Sequence, residues 1–248
     1  MEEIVFILGW VFLGLAWGSF ANVLQAGGGR KKLLGRSVCD GCGKRLNWWE
    51  NVPVLSWAFL KGKSLCCQNP LSWQYPLVEL LSGLSFGVWS SKFGGFTGVD
   101  FWSLTVVGIL VLVLAWDLWQ MIIPDWSLLF LFGLALVGLG AGFLRVEWAE
   151  ALGAGLGALG FFLGLWFLTR GKGMGMGDVK MAGVMGIFLG FEGVAWALWL
   201  AFVSGALLGL FLMVLGRAGR KTALPFGPFL IFGWLLAWLG PRVYTFWR

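Results

Sequence analysis

Long apolar runs constrain this chain more than any other feature of its sequence. A helix needs about 17–25 predominantly apolar residues to cross a lipid bilayer. Runs of suitable length cover residues 4–25, 76–93, 101–118, 125–144, 149–169, 194–216 and 226–246. A shorter run at 178–191 fits a short or partly re-entrant span. The sequence therefore predicts an all-α polytopic membrane protein with about eight transmembrane helices.

The composition supports this class and excludes several kinds of catalysis. Of the 248 residues, 59% are hydrophobic and 12% are charged, as in integral membrane proteins. The chain has no histidine, which excludes Ser-His and Cys-His pairs and zinc sites of the H-E-x-x-H type. Glu2 and Glu3 precede the first run instead of basic residues, so we expect a retained helix and not a cleaved signal peptide.

The distribution of basic residues sets the expected orientation. Residues 26–75 form a long polar segment with eight of the 18 Lys and Arg residues. With eight spans, this segment lies on the same side as loops 117–125, 170–178 and 216–225. That side, with Lys180 just inside its face, holds 14 basic residues against four on the other. Positively charged loops stay in the cytoplasm, so we expect 26–75 to be cytoplasmic. The net charge of +6 then requires no nucleic-acid partner.

Two aspartates lie at the edge of the hydrocarbon region, where a carboxyl group has a high free-energy cost. Asp117 ends the third run and Asp178 begins the short run, both at the predicted cytoplasmic boundary. A carboxyl at the edge of the hydrocarbon region needs a partner or a function. Simpler explanations are a helix cap for Asp178 and a basic loop partner for Asp117. Two carboxyls held together can instead activate water and protonate a scissile amide without a metal, so we expect a shared acid/base site.

The residues around the pair are expected to shape this site. Gly175 and Gly177 allow a non-helical backbone before the second aspartate and a close approach to its neighbour. Asp125 follows a proline, which is typical of a helix N-terminus. Lys180 is two residues beyond the aspartate and does not share its helix face. We expect Lys180 to extend to the interface, with a role in the electrostatic potential of the site as the alternative.

All four cysteines fall within residues 39–67. This clustering favours a local metal site or a thiol pair over a disulfide framework. Cys39 and Cys42 form a C-x-x-C pair, whereas Cys66 and Cys67 are adjacent. A structural zinc ion held by the four thiolates and a set of free or redox-active thiols both remain open.

Seven short motifs follow one another along nearly the whole chain. They are GSFANV at 18–23, CDGC at 39–42, NVP at 51–53 with Ser56, SWQYPLVE at 72–79, D-x₆-PD at 117–125, GMGDVK at 175–180 and PFGPF at 225–229. Together they resemble the motifs of the bacterial type IV prepilin peptidases, which are GxGD aspartyl proteases of the membrane.

The resemblance implies a function for each half of the chain. It implies an endopeptidase that removes the basic leader of type IV prepilins or type II secretion pseudopilins at the cytoplasmic face of the bacterial inner membrane. Asp117 and Asp178 are then the catalytic pair, and proteolysis requires no cofactor. Many members also methylate the new amino terminus with S-adenosylmethionine. Glu79 then contacts that amino terminus or the methyl donor, with pairing to a loop Lys or Arg as the alternative.

The resemblance also predicts two domains and shows two departures. Residues 1–93 include the cytoplasmic loop 26–75, and residues 94–248 form a six-helix peptidase domain. The family has a second C-x-x-C pair, but Ser64 holds one of its positions here, so we expect Cys66 to substitute from a neighbouring position. Residues 25–30 depart from the family pattern as well, which keeps open a peptidase without methyl transfer.

A different class of protein is the alternative to an enzyme. Broken, glycine-rich helices with buried carboxylates also occur in membrane transporters. Both aspartates lie near one face, however, and no second half of the chain repeats the glycine-rich pattern. We therefore expect prepilin or pseudopilin substrates and membrane lipid as partners.

Overall fold

The protein is helical throughout the part that its structure describes. The computed structural model describes residues 2–25, 37–39, 41–93, 97–144, 146–171, 173–217, 219, 222 and 224–240. Its α-helices are α1 Glu2–Gln25, α2 Leu55–Phe59, α3 Gln74–Phe93, α4 Gly98–Gln120, α5 Asp125–Gly140, α6 Trp148–Leu168, α7 Met176–Val214 and α8 Gly227–Leu239. A 3-10 helix, Trp48–Asn51, precedes α2. These helices confirm the predicted all-α class.

The helices have the lengths and compositions of a multi-pass membrane protein. Within the described residues, α1, α4, α6 and α7 contain segments long and apolar enough to cross a membrane, and α5 and α8 are shorter apolar helices. Large apolar side chains such as Phe12, Leu129 and Leu156 are exposed, as lipid contact requires. The predicted stretch 26–30 and the end of the predicted span 226–246 lie outside the described residues.

The chain divides into two compact units, Met1–Ala115 and Trp116–Arg248. This division falls within α4, and the domain boundary expected between residues 93 and 94 stays a prediction. In the first unit, α1 packs closely against α3. A Cβ atom added at Gly14 would lie 2.7 Å from the Ser82 carbonyl oxygen, and one at Gly18 would lie 2.8 Å from the Cα of Glu79. These two glycines therefore allow the helices to approach as a GxxxG pair does.

In the second unit, α7 consists of two helices joined without a loop. Gly190 has a φ of 68° and a ψ of −176°, a conformation that favours glycine. Both arms of α7 contact α6. On either side of Gly190, α7 residues farther from Gly190 contact α6 residues closer to the C-terminus of α6. The contacts are Phe191 with Gly153, Ile187 with Gly155, Gly183 with Leu159, and Phe202 with Phe162. The chain therefore reverses at Gly190.

The two arms of α7, 176–189 and 191–214, correspond to the two predicted apolar runs in this region. At 1.5 Å per residue the first arm is about 21 Å long. That is shorter than the roughly 30 Å hydrocarbon core of a bilayer, in line with the short span predicted for 178–191. The backbone N–H of Phe191 donates a hydrogen bond to the Glu150 carboxylate at 3.3 Å, which stabilises the reversal.

Candidate active site

The structure brings the two predicted aspartates together in the second unit. Asp117 lies in the last turn of α4, and Asp178 lies in the first turn of α7. Their exposed fractions are 4% and 8%. The side chains are close enough for the charge of Asp117 to act on the carboxyl of Asp178. The two buried carboxyls therefore form one pair in this unit.

Each carboxyl is oriented by one backbone N–H group. The N–H of Gly227 donates to Oδ2 of Asp117 at 2.9 Å, and the N–H of Gly175 donates to Oδ2 of Asp178 at 3.2 Å. Among the described residues, no hydrogen bond engages Oδ1 of either aspartate. The site therefore fixes one oxygen of each carboxyl and leaves the other oxygen for water or substrate.

Gly227 is a site residue that the sequence analysis missed. It is the first residue of α8, where backbone N–H groups and the helix dipole favour a carboxylate. A Cβ atom added there would lie 2.6 Å from Oδ2 of Asp117. The motif PFGPF indicates this role. A glycine beside the proline at a helix start allows another group to approach the backbone closely.

The two glycines before Asp178 have different roles. Gly175 is the N-cap of α7, with an extended φ of −74° and ψ of 150°. The expectation of a non-helical path at Gly177 is wrong, because α7 already begins at Met176. A Cβ atom added at Gly177 would lie 2.9 Å from the Cβ of Ile123. Gly177 therefore provides the close approach of α7 to the segment between α4 and α5.

Lys180 and Asp125 form an ion pair beside the site. Nζ of Lys180 lies 2.6 Å from Oδ1 of Asp125, and the side chains are 46% and 75% exposed. Asp125 is the first residue of α5, at the helix N-terminus as expected, and Pro124 is the N-cap. Exposed ion pairs contribute at most about 1 kcal/mol. The pair joins the beginnings of α5 and α7, and neither member hydrogen-bonds to the two buried carboxyls among the described residues.

The four cysteines lie together in the first unit. Their sulfur atoms all fall within 4.8 Å of one another. Sγ of Cys39 lies 3.6 Å from Sγ of Cys67, and Sγ of Cys42 lies 3.0 Å from Sγ of Cys66. Four thiolates around zinc, with Zn–S bonds of about 2.3 Å, place their sulfurs roughly 3.8 Å apart. The cluster therefore fits a structural zinc ion.

The thiols of this cluster differ in their acidity. Hydrogen bonds from the backbone of Cys42 and Gly41 lower the pKa of Cys39 to about 6. Hydrogen bonds with the side chains of Cys42 and Cys39 raise the pKa of Cys66 to about 12. A group of thiols that already stabilises one thiolate is a suitable ligand set for a cation.

Glu79 lines a cavity of about 180 Å³ in the first unit, together with Ser19 and Asn22. Its side chain is buried, and Oε2 accepts the backbone N–H of Val54 at 2.7 Å. No Lys or Arg among the described residues forms an ion pair with it. Val54 has a φ of 60°, which is strained for a β-branched residue, so Glu79 fixes a strained position of the loop.

Asn22 adds a second polar group to the cavity wall. Its Nδ2 donates to the carbonyl oxygen of Tyr75 at 3.2 Å, which joins α1 to the start of α3. Its Oδ1 is buried and has no hydrogen-bond partner in the described part of the chain. A buried acceptor of this kind is costly unless a ligand or water satisfies it. The cavity therefore presents a carboxylate and an unsatisfied amide oxygen.

Comparison with known proteins gives one family for both units. Residues 12–93 match the Bacterial Peptidase A24 N-terminal domain, and residues 104–210 match the Type IV leader peptidase family. No solved structure matches the chain.

Three relatives are each named prepilin leader peptidase/N-methyltransferase. The protein of Xanthomonas campestris pv. campestris is 37% identical over 80% of this chain and 70% of its own length. That of Aeromonas hydrophila is 36% identical over 83% and 72%. That of Stutzerimonas stutzeri is 31% identical over 98% and 93%.

Proposed function

Because the chain belongs to the type IV leader peptidase family, we propose that Asp117 and Asp178 are the catalytic pair with which it removes the leader peptide of a prepilin. The observation that carries this assignment is the geometry of the pair. Two buried carboxyls lie together, each with one oxygen held by a backbone N–H and the other open. Such an arrangement is suited to general acid–base catalysis of amide hydrolysis.

The chemistry follows from the single proton that the pair holds. The ionised carboxyl accepts a proton from water while the water oxygen forms a bond to the carbonyl carbon of the scissile amide. The protonated carboxyl donates its proton to the carbonyl oxygen. The C–N bond of the resulting tetrahedral intermediate then breaks: the protonated carboxyl gives its proton to the leaving nitrogen, and the ionised carboxyl takes up the proton of one hydroxyl as the new carbonyl forms. Both carboxyls are required, and their charge is the same before and after the reaction.

We place the reaction at the cytoplasmic face of the bacterial inner membrane. This placement is supported by the 14 basic residues expected on that side and by the position of both aspartates at helix ends. Water reaches a site at a helix end more easily than one at the middle of the bilayer. A prepilin, whose basic leader precedes a long apolar helix, then meets the pair while that helix is in the membrane.

Replacement of Gly177 by alanine tests the packing that positions Asp178. We expect Gly177→Ala to slow leader removal about 100-fold, since displacement of a catalytic group by about 1 Å has effects of that size. The added Cβ would press against Ile123 and displace the first turn of α7. The measurement is the rate of prepilin cleavage by the purified protein in lipid vesicles.

Gly164→Ala on α6 is the matched control, because a Cβ atom there meets nothing within 4 Å. The control should cleave at the wild-type rate. Normal turnover of a folded Gly177→Ala protein would show that this glycine is incidental to the site.

Methyl transfer to the new amino terminus is assigned to the cavity of the first unit. The carboxylate of Glu79 and the unsatisfied Oδ1 of Asn22 can both accept hydrogen bonds from a primary amine. S-adenosylmethionine supplies the methyl group when it is bound. The buried acceptor fits a site for a cationic or amine-bearing ligand, and Glu79 positions that ligand as well as the loop at Val54.

The two activities should be separable by substitution. We expect Glu79→Gln to lower methyl transfer at least tenfold and to leave cleavage unchanged, because glutamine lacks the charge but can still accept the N–H of Val54. Asp117→Asn should methylate a pilin that has been cleaved beforehand. The measurement is transfer of a radiolabelled methyl group to the pre-cleaved pilin.

Several outcomes would contradict this separation. Normal methylation by Glu79→Gln would show that methyl transfer does not require the charge of Glu79. Loss of both activities in Asp117→Asn would indicate one shared site. Absence of label transfer by the wild-type chain under conditions where it cleaves would leave a peptidase alone.

A further inference from the structure

Two tight turns carry the four cysteines, and the second repeats the first. Each turn is closed by an isolated antiparallel bridge, Val38 with Arg45 in the first and Lys63 with Pro70 in the second. The two bridges have the same span, and each bridged residue of the second turn lies 25 residues after its counterpart. The similarity is one of backbone geometry, because the two sequences have little in common.

The hydrogen bonds inside the turns follow the same register. In the first turn, the N–H of Cys39 donates to the carbonyl of Lys44, and the N–H of Gly43 donates to the carbonyl of Cys39. The second turn has the equivalent bonds from Ser64 to Asn69 and from Gln68 to Ser64. Even the left-handed position is repeated, with a φ of 70° at Gly43 and 58° at Gln68.

This register identifies the equivalent side chains of the two turns. Cys67 is the counterpart of Cys42, and Ser64 is the counterpart of Cys39. A metal site built from two equivalent turns therefore has a hydroxyl in one of its four ligand positions. Cys66 is the counterpart of Gly41, which has no side chain, so its thiol enters the cluster from a position that the first turn does not use.

The contacts show what Ser64 and Cys66 do. Sγ of Cys66 lies 3.0 Å from Sγ of Cys42, within the sulfur cluster. Ser64 is 4% exposed, and its Oγ accepts the backbone N–H of Asn69 at 3.0 Å. The same Oγ lies 3.1 Å from Sγ of Cys67. Since the oxygen already accepts a hydrogen bond, its proton is available to the sulfur.

We infer that Cys66 is the displaced fourth ligand, beside Cys39, Cys42 and Cys67, of the divalent metal ion such as zinc that the family's cysteine loop and the sulfur distances already imply. Ser64 is a positioning residue: from the position equivalent to Cys39 it donates a hydrogen bond to the sulfur of Cys67. Second-shell hydrogen bonds of this kind orient a ligand and tune its charge. The inference concerns the loop alone and does not depend on the catalytic pair.

Cobalt(II) loading of the full-length protein tests the ligand set, because the intensity of thiolate-to-cobalt charge-transfer absorption reports the number of bound thiolates. We expect four thiolates in the wild-type protein and three in Cys66→Ala. The double variant Ser64→Cys/Cys66→Ala should return to four, since its second turn then matches the first. This recovery also shows that the loss in Cys66→Ala is not caused by misfolding.

Substitution of Ser64 alone tests its positioning role. Ser64→Ala should keep four thiolates and weaken metal binding about 10- to 100-fold, measured by competition with a chelator. Leu65→Ala, in the same turn and exposed, should bind like the wild type.

Unchanged metal affinity in Cys66→Ala, or failure of the double variant to regain the fourth thiolate, would overturn the displaced ligand. Equal affinity of Ser64→Ala and wild type would overturn the role of Ser64. A wild-type protein that takes up no cobalt and forms a Cys42–Cys66 disulfide would overturn the metal site as a whole.

Discussion

Asp117→Asn and Asp178→Asn should each abolish leader removal, with rates lowered about 10²- to 10⁴-fold as expected for loss of general acid–base catalysis. Asparagine keeps the shape of the side chain and can still accept the backbone N–H of Gly227 or Gly175. It can neither take up nor release the proton that the reaction moves. We therefore expect each variant to fold and to insert in the membrane, and to fail only in the chemistry.

The pair should also behave as a unit. Because either substitution removes the shared proton, the double variant should be no slower than the single ones. Asp125→Asn is the matched control, since this carboxyl is 75% exposed and pairs with Lys180 outside the buried site. Cleavage within tenfold of the wild-type rate by either Asp117→Asn or Asp178→Asn would exclude that residue from the catalytic role.

Gly227→Ala should have the next largest effect, a loss of about 100-fold or more in cleavage rate. An added Cβ would lie 2.6 Å from Oδ2 and 2.9 Å from Cγ of Asp117, so the carboxyl or the start of α8 must move. The hydrogen bond that orients Asp117 would be lost or lengthened. Single-turnover cleavage of a prepilin measures the chemical step without interference from product release.

The control for Gly227 is a glycine of α7 that packs against the same helix, α8. A Cβ atom added at Gly205 would meet Phe229 of α8 at 3.4 Å, an ordinary contact distance. Gly205→Ala should therefore cleave normally, and both variants should have similar melting temperatures. If Gly227→Ala cleaves as fast as the control, the N–H of Gly227 has no part in positioning Asp117.

Much of the fold is predictable because a bilayer imposes length and polarity on each helix. The run predicted at 76–93 corresponds to α3 at Gln74–Phe93, and that at 149–169 corresponds to α6 at Trp148–Leu168. The sequence also predicts a break between the runs 178–191 and 194–216, but not that the chain reverses there without a loop. The reversal occurs at the positive φ angle of Gly190, two residues before Glu192, the charged residue that separates the two runs.

The site was predicted in part for a similar reason. A carboxyl in an apolar run has a high cost, so Asp117 and Asp178 stand out in the sequence. The hydrogen bond from Gly227 to Asp117 joins residues 110 positions apart through a backbone N–H. The residue type does not indicate such a bond, because its donor is a backbone group. The ion pair of Lys180 with Asp125, 55 positions apart, escaped prediction because many charged residues near an interface are unpaired.

The cysteine site can also be predicted only in part from the sequence. The clustering of four cysteines predicts a common site, and the sulfur distances support it. The sequence also predicts that Ser64 holds a cysteine position and that Cys66 is out of register, and the two turns have the hydrogen-bond register that this requires. The contacts of Ser64 with Asn69 and Cys67 could not be predicted, because they depend on how the second turn folds.

The most direct test of the catalytic pair is the intact mass of a full-length prepilin after incubation with the protein in lipid vesicles and S-adenosylmethionine. The wild-type protein should yield a product that lacks the leader and carries one added methyl group. The Asp117→Asn/Asp178→Asn double variant should leave the prepilin at its original mass, and should methylate it only when the leader has been removed beforehand. Removal of the leader by the double variant would contradict the account, because the cleavage would then come from other residues.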